Sequence, residues 1–484
     1  MSVQQINDPA IDFSTKLHLG PSYRYNKNIP TSGSQTFSLG SSSTTNCQFE
    51  LASNCYNLSK SKIVFDIVLP FTSDGSGGDI LASSKFNVIH ADPLAMFDRI
   101  QLYTRSGIQL VDLTSANNFS KMVSPYITKI SELQQRSTGG YTIDPTANTI
   151  VAPITQAAAQ LVPIQGIQSS NVAAVSSTAV NTGNQRPDGN CSNVLLSEFR
   201  YLFAGATGNN AVIATSTTGS VYLSYQLNLG IIYDTLLALN KDLYWDTNLI
   251  LSLTFAPHSK FATQTSSLTL ATATVTPCLS CTVNNMSLFL AMETNQDIIN
   301  QLRNKVQTTG MTLQIPYVYT QKYNSGGSAT SSSLFQRFNS GMGQRIIKFY
   351  YSVLNGTETA LTAFDNSNLT AKLTDIYTSL NNQRLQEYPL NLGKAEDYLF
   401  NETNFENSTI ISGNIYKYNW MHCDNFGNGN LTNSDLTEPQ GISLAEEKTY
   451  TVFVNHAVAA AYNQYLFTVV QRELVIHGPN IVLH

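Results

Sequence analysis

The chain has 484 residues, only 12% of them charged, and a net charge of −5. With 27 Lys and Arg against 32 Asp and Glu, a polyanion partner is not favoured, because neutralising phosphates takes clustered cations. A surface this low in charge suits extensive protein contact, although a plain β-protein with Ser/Thr-rich loops has the same composition. The length fits two or three domains, and no stretch reaches the roughly 18 apolar residues that a membrane span needs.

Residues 1–45 read as an N-terminal arm. Gly20-Pro21, Pro30 and the run Ser41 to Thr45 interrupt any regular element. Such an arm is either disordered or tucked beneath a neighbouring subunit. Met1 to Pro30 has no charged start followed by an apolar run. That points to a reducing compartment and to thiols for the six cysteines.

Lys62 to Leu69 is a strand, with Ile63, Phe65, Ile67 and Leu69 on one face and Val64, Asp66 and Val68 on the other. Pro70 is expected to end it, since proline cannot donate to a ladder. A hairpin follows: Ile100 to Thr104 turns at Arg105-Ser106-Gly107 and returns through Ile108 to Leu113. Ser115 to Leu133 reads as helical, interrupted by Pro125. Residues 137–191 are rich in Ala, Ser, Thr, Gln and Val and read as a long surface insertion. Alternation returns at Val221 to Leu229 and at Leu249 to Phe255, where the first sandwich is expected to close. Residues 46–256 would then form one module and 257–276 a linker.

The second module, 277–484, is expected to open with a strand around Asn285 to Met292. Asn295 to Val306 reads as a helix, capped by Asn295 and striped by Ile298, Ile299, Leu302 and Val306. Strands follow at Tyr317 to Tyr323, Leu334 to Phe338 and Arg345 to Leu354, the last with Ile347, Phe349, Tyr351 and Val353 on one face. Asp375 to Gln386 is a second hairpin, turning at Asn381-Asn382. Lys394 to Asn401 reads as a short helix, and Tyr450 to Val454 and Tyr465 to Leu474 are the closing strands. Tyr103-Thr104 before one hairpin turn and Tyr377-Thr378 before the other suggest two copies of one architecture. Short alternating strands with long loops and few helices indicate sandwiches or barrels. Each half is long enough for an eight-stranded jelly roll with insertions.

The strings GQRIIKFYYSVLNGTE, LNNQRLQEYPLN and YKYNWMHCD, which cover Arg345 to Thr357, Asp375 to Leu390 and Tyr416 to Asp424, resemble the second half of double jelly-roll major capsid proteins of double-stranded DNA viruses. FDRIQLYTRSGIQLVDL and SYQLNLGIIYDTLLALNKDLYW resemble parts of that family's first half. The resemblance implies an all-β chain with a few short helices, built as two tandem eight-stranded jelly-roll β-sandwiches. It implies a pseudo-hexameric homotrimer that tiles an icosahedral shell in the virion. Penton and minor capsid proteins would be partners, and an internal membrane would be reached through the N-terminal arm. No direct nucleic-acid binding is expected.

Little in the sequence suggests chemistry. Cys278-x-x-Cys281 is half a zinc spacing, with His422-Cys423 the only other close pair, and buried thiols are the plainer reading. His90, His456 and His477 form no HxH pair, and there is no nucleophile elbow, HExxH helix or P-loop. No catalytic residue, cofactor or metal is expected. Four residues are candidates for an interface: Trp245 and Trp420, because large aromatics anchor contacts, and Arg345 and Arg384, which sit on the two signature segments. Core packing is the competing reading for the tryptophans, and exposure to solvent for the arginines. A receptor- or carbohydrate-binding β-sandwich of fibre or lectin type is the alternative function.

Overall fold

A computed structural model describes residues 21–72, 86–90, 93–119, 123, 199–202, 218–265, 275–277, 280–324, 330–355, 373–392, 394–405, 420–427, 441–457 and 461–484. The insertion expected at 137–191, most of the helix expected at 115–133 and the first twenty residues lie outside them.

The first half holds β1 (Tyr23–Asn28), β2 (Phe37–Leu39), β3 (Thr45–Leu51), β4 (Asn54–Thr72), β5 (Phe86–His90), β6 (Phe97–Thr104), β7 (Gln109–Thr114), β8 (Phe199–Leu202), β9 (Thr218–Asn228), β10 (Leu243–Trp245), β11 (Leu249–Phe255), β12 (Ala262–Thr265), β13 (Val275–Pro277) and β14 (Cys281–Glu293). Helix α1 (Gln296–Thr308) leads to the second half: β15 (Met311–Asn324), β16 (Ser331–Phe338), β17 (Arg345–Asn355), β18 (Leu373–Leu380), β19 (Gln383–Arg384), β20 (Leu390–Asn391), α2 (Ala395–Asn404), β21 (His422–Asn425), β22 (Ile442–Ser443), β23 (Lys448–His456), β24 (Tyr462–His477) and β25 (Asn480–Leu483).

The two halves repeat one strand order. In the first, take β1, β3, β4, β6, β7, β9 with β10, β11 and β14 as strands one to eight. One sheet then runs one-eight-three-six and the other two-seven-four-five. Taking β15, β16, β17, β18, β19 with β20, β21 with β22, β23 and β24 in the same way gives the same two orders. This is the jelly roll, built twice. The hairpins matched by their Tyr-Thr pairs, β6–β7 and β18–β19, are strands four and five of their respective rolls. A further sheet, β13-β12-β5-β8, belongs to the first half alone among the described residues.

Three boundaries differ from expectation. The segment read as part of an arm supplies the first strand of the first roll: β1 pairs with β14 from Tyr23↔Glu293 to Asn28↔Leu288. The strand read as the start of the second half is the eighth strand of the first roll, since β14 pairs with β4 as well as with β1. A division at residue 277 therefore falls before the last strand of the first roll, and β12 and β13, from the segment read as a linker, pair in the further sheet. Finally, β4 runs past Pro70 to Thr72. Its pairing with β14 ends at Val68↔Thr282, whereas β9 continues alongside to Thr72↔Thr218. Proline is tolerated where one edge of a strand is free.

Each roll closes on aromatic contacts between its two sheets. Phe65 of β4 meets Phe97 of β6 at 5.9 Å and Phe255 of β11 at 6.0 Å, both edge to face. In the equivalent place Phe349 of β17 stacks on Tyr450 of β23 and lies 5.6 Å from Phe338 of β16. These residues are fully buried, and such aromatic pairs contribute about 1 kcal/mol each beyond area burial. The expected cap on α1 is present: Asn295 Oδ1 accepts from the Asp297 amide at 3.1 Å. Val306 is buried, and Ile299 and Leu302 pack against the core beside it. The hairpin turn is also as expected, since Asn381 and Asn382 both have positive φ, 50° and 65°, and join Leu380 to Gln383.

Candidate assembly site and buried polar centres

The two rolls meet along a seam between β7 and β15. Thr320 Oγ1 on β15 donates to the carbonyl of Thr114 on β7 at 3.0 Å. Arg99 of β6 makes two 2.7 Å bonds to Asp112 of β7. The Arg472 guanidinium lies 5.1 Å from the centre of the Tyr317 ring. Burial pushes the Tyr317 hydroxyl pKa well up, nearby Asp112 adds to this, and the two arginines oppose it. Deeper in, Phe119 meets Phe467 edge to face at 5.1 Å, and the Tyr350 hydroxyl donates to Asp234 Oδ2 at 3.0 Å. Behind the seam, the Gly478 amide donates to the Val306 carbonyl at 2.9 Å and ties α1 to the end of β24.

The structure disperses the four interface candidates. Trp245, on β10, is buried in the first roll, and its carbonyl accepts from Ser53 Oγ at 2.9 Å. Trp420 is buried in the second roll. Its Nε1 donates to Asp397 Oδ2 of α2 at 3.2 Å, and its ring stands edge-on to Tyr351 at 6.1 Å. Neither tryptophan has surface to offer a partner, and Tyr244 beside Trp245 is buried with it. Arg345 is partly exposed at the start of β17 and donates to the Gly441 carbonyl at 3.1 Å. Arg384 is exposed on β19, with its guanidinium 4.4 Å above the Tyr377 ring.

The polar groups packed between the sheets of the second roll were not singled out from the sequence. Asp424 of β21 is buried. Its Oδ2 accepts from Tyr450 at 2.6 Å and from Thr378 at 2.7 Å, and its Oδ1 accepts from Gln386 Nε2 at 3.3 Å. His422 Nε2 lies 3.4 Å from Oδ1, with its ring stacked on Phe400. Burial pushes the Asp424 carboxyl up, but His422 and the hydroxyls of Tyr450 and Thr378 outweigh it and hold it below its ordinary value. An acid close behind apolar Trp420, Met421 and Cys423, as in WMHCD, is a signal that could have flagged this cluster.

A second polar pair is Ser332 Oγ with His456 Nε2, 2.8 Å apart. Burial lowers the His456 pKa, and its buried Nδ1 has no partner among the described residues. The ring stacks on Tyr462. No third group among the described residues orients the imidazole as a nucleophile–base pair would need. Among the described residues no three or more His, Cys, Asp or Glu gather as a metal site would require. Cys281 is a buried thiol on β14, and Cys278 lies outside the described residues.

Two sandwiches of one strand order, fused in one chain and packed side by side, define the double jelly-roll class of fold. No protein-family model matches the chain, and no curated protein does. Among solved structures it is similar to a chain of the Sputnik virophage solved by cryo-EM, with a TM-score of 0.53 and 12% identity over 100% of this chain and 93% of that one. It is likewise similar to the mavirus major capsid protein, with a TM-score of 0.52 and 10% identity over 99% of this chain and 94% of that one. At such identities the likeness is one of fold.

Proposed function

We propose that this chain is a viral major capsid protein, whose copies associate as pseudo-hexameric homotrimers and tile an icosahedral shell in the virion. The observation that carries the reading is the strand order repeated within one chain. Two like modules per copy let a threefold axis present six like lobes, an outline that packs in a hexagonal net. The fold shared with the mavirus major capsid protein supports it. The function is geometric, with no bond made or broken. Weak contacts between trimers gain strength by repetition across the lattice. Penton and minor capsid proteins are the further partners of this reading, with an internal membrane for the segment that precedes β1.

Light scattering of the purified protein tests it, with an expected mass near three times 53.0 kDa and hexagonal arrays or shells in negative stain. A monodisperse monomer that binds glycans would overturn it in favour of the fibre or lectin alternative.

A further inference from the structure

Each roll ends its seventh strand on a buried histidine. In the first roll His258 lies just past the end of β11, and its amide donates to the carbonyl of Gly40, ahead of β3, at 3.0 Å. In the second, His456 closes β23, and its amide donates to the carbonyl of Thr330, just ahead of β16, at 2.7 Å. Both bonds tie the seventh strand to the entry of the second. A further contact doubles each tie: Ser259 Oγ donates to the Ser41 carbonyl at 2.7 Å, and His456 Nε2 lies 2.8 Å from Ser332 Oγ.

Both rings are buried, and in both Nδ1 has no partner among the described residues. Burial alone lowers the pKa of each. Beside His258, residues 40–45 and β12 carry no ionisable side chain, and its own turn adds only Lys260. Beside His456 stand Ser332 of β16, Leu373 of β18 and the stacked ring of Tyr462, whose hydroxyl burial keeps neutral. Asp375 of β18 accepts instead from Asn455 Nδ2 at 2.7 Å. A neutral imidazole has one N–H to satisfy, whereas the imidazolium has two and a charge. With its N–H on Nε2, neutral His456 donates to Ser332 and leaves only a lone pair unmet. Its protonated form would leave a buried N–H and a buried charge unmet, which is costly.

We infer that His258 and His456 are a matched pair of acid latches: neutral, each holds the end of its seventh strand to the entry of the second, and protonation of the ring releases that end of the roll. The device stands apart from the shell reading and does not depend on it. Acid favours the open end because the freed ring takes up a proton that the closed one refuses. The latch is therefore at full strength above about pH 6.5, the ordinary histidine value, and weakens as pH falls below it.

Amide hydrogen exchange between about pH 7 and pH 5, corrected for the intrinsic rate, reads the opening on peptides from β3, β11, β16 and β23. Each end should open up to about tenfold more for every pH unit below about 6.5. His456→Gln, which has no titratable ring, should make β16 and β23 insensitive to pH in this window while β3 and β11 still respond. His258→Gln should do the reverse. Asp424, with its depressed pKa, titrates below the window. Wild-type opening that stays level across it overturns the inference, as does a variant that keeps the full wild-type response at its own strands. NMR titration of the imidazole C–H signals in the wild type decides the matter even where a variant fails to fold. Both rings should gain their proton below about pH 6.5, and a ring that gains it at or above that value is no latch.

Discussion

Tyr350 of β17 donates its hydroxyl hydrogen to Asp234 Oδ2 at 3.0 Å, and the two residues belong to different rolls. Asp234 is fully buried and has a φ of 58°, on the bend between two 3-10 turns. A short polar residue tolerates that backbone, and its carboxylate is thereby turned to the second roll. Tyr350→Phe leaves the oxygen buried without this donor, at a cost of about 1–3 kcal/mol. Chemical denaturation should show a lower midpoint. An unchanged midpoint would mean that the bond contributes nothing to joining the rolls.

Phe65 and Phe349 occupy the same place in their respective rolls, on the third strand and against the seventh. Alanine at either should cost about 3–5 kcal/mol by leaving a cavity between the sheets. If the rolls unfold as one unit, the two variants lower a single cooperative transition by similar amounts. Two calorimetric transitions, with each variant moving only one of them, would show instead that the rolls unfold separately.

Asp424 links stability to acid. Its folded pKa is depressed, so its contribution is fully present above the ordinary carboxylate range and is lost as pH falls through the folded value. Asp424→Asn should cost about 3 kcal/mol near neutral pH, since it breaks a buried charged cluster. Its melting temperature should also fall less steeply than that of the wild type below about pH 4. Parallel melting curves across that range would rule out the linkage.

Burial pushes the thiols of Cys47 and Cys55 up to about 12. The thiolate is the reactive form, so neither should be alkylated in the native protein at pH 8, and both should be once it is unfolded. Mass spectrometry after a pulse of iodoacetamide reads this directly. Native labelling at either position would mean that strands β3 and β4 open locally.

Several local features were legible in the residues alone. The alternation at Ile63 to Ile67 correctly marks the dry face of β4, because burial on one side imposes a period of two. In β17, by contrast, Lys348, Tyr350 and Ser352 are buried as well as Ile347, Phe349, Tyr351 and Val353, so both of its faces are covered. Asn295 as a cap and Asn381-Asn382 as a turn could be read because each acts through its own backbone neighbours. The Tyr-Thr pairs before the two hairpins pointed to a repeat, which the matching strand orders bear out.

Alternation says which face of a strand is dry, and nothing about which strand lies beside it. The partner is chosen by the closing of the whole sandwich. Hence β14 could be placed on the wrong side of the division, and β1 could pass for an arm until its pairing with Glu293 and its neighbours was known. For the same reason Trp245 and Trp420, plausible as anchors by size, sit inside, and Asp424 could meet Tyr450 and Thr378 only once two sheets were stacked face to face. Local chemistry in the chain determined the strands, the turns and the kinship of the halves. The seam between the rolls came only with the packing, which depends on contacts between residues far apart in sequence.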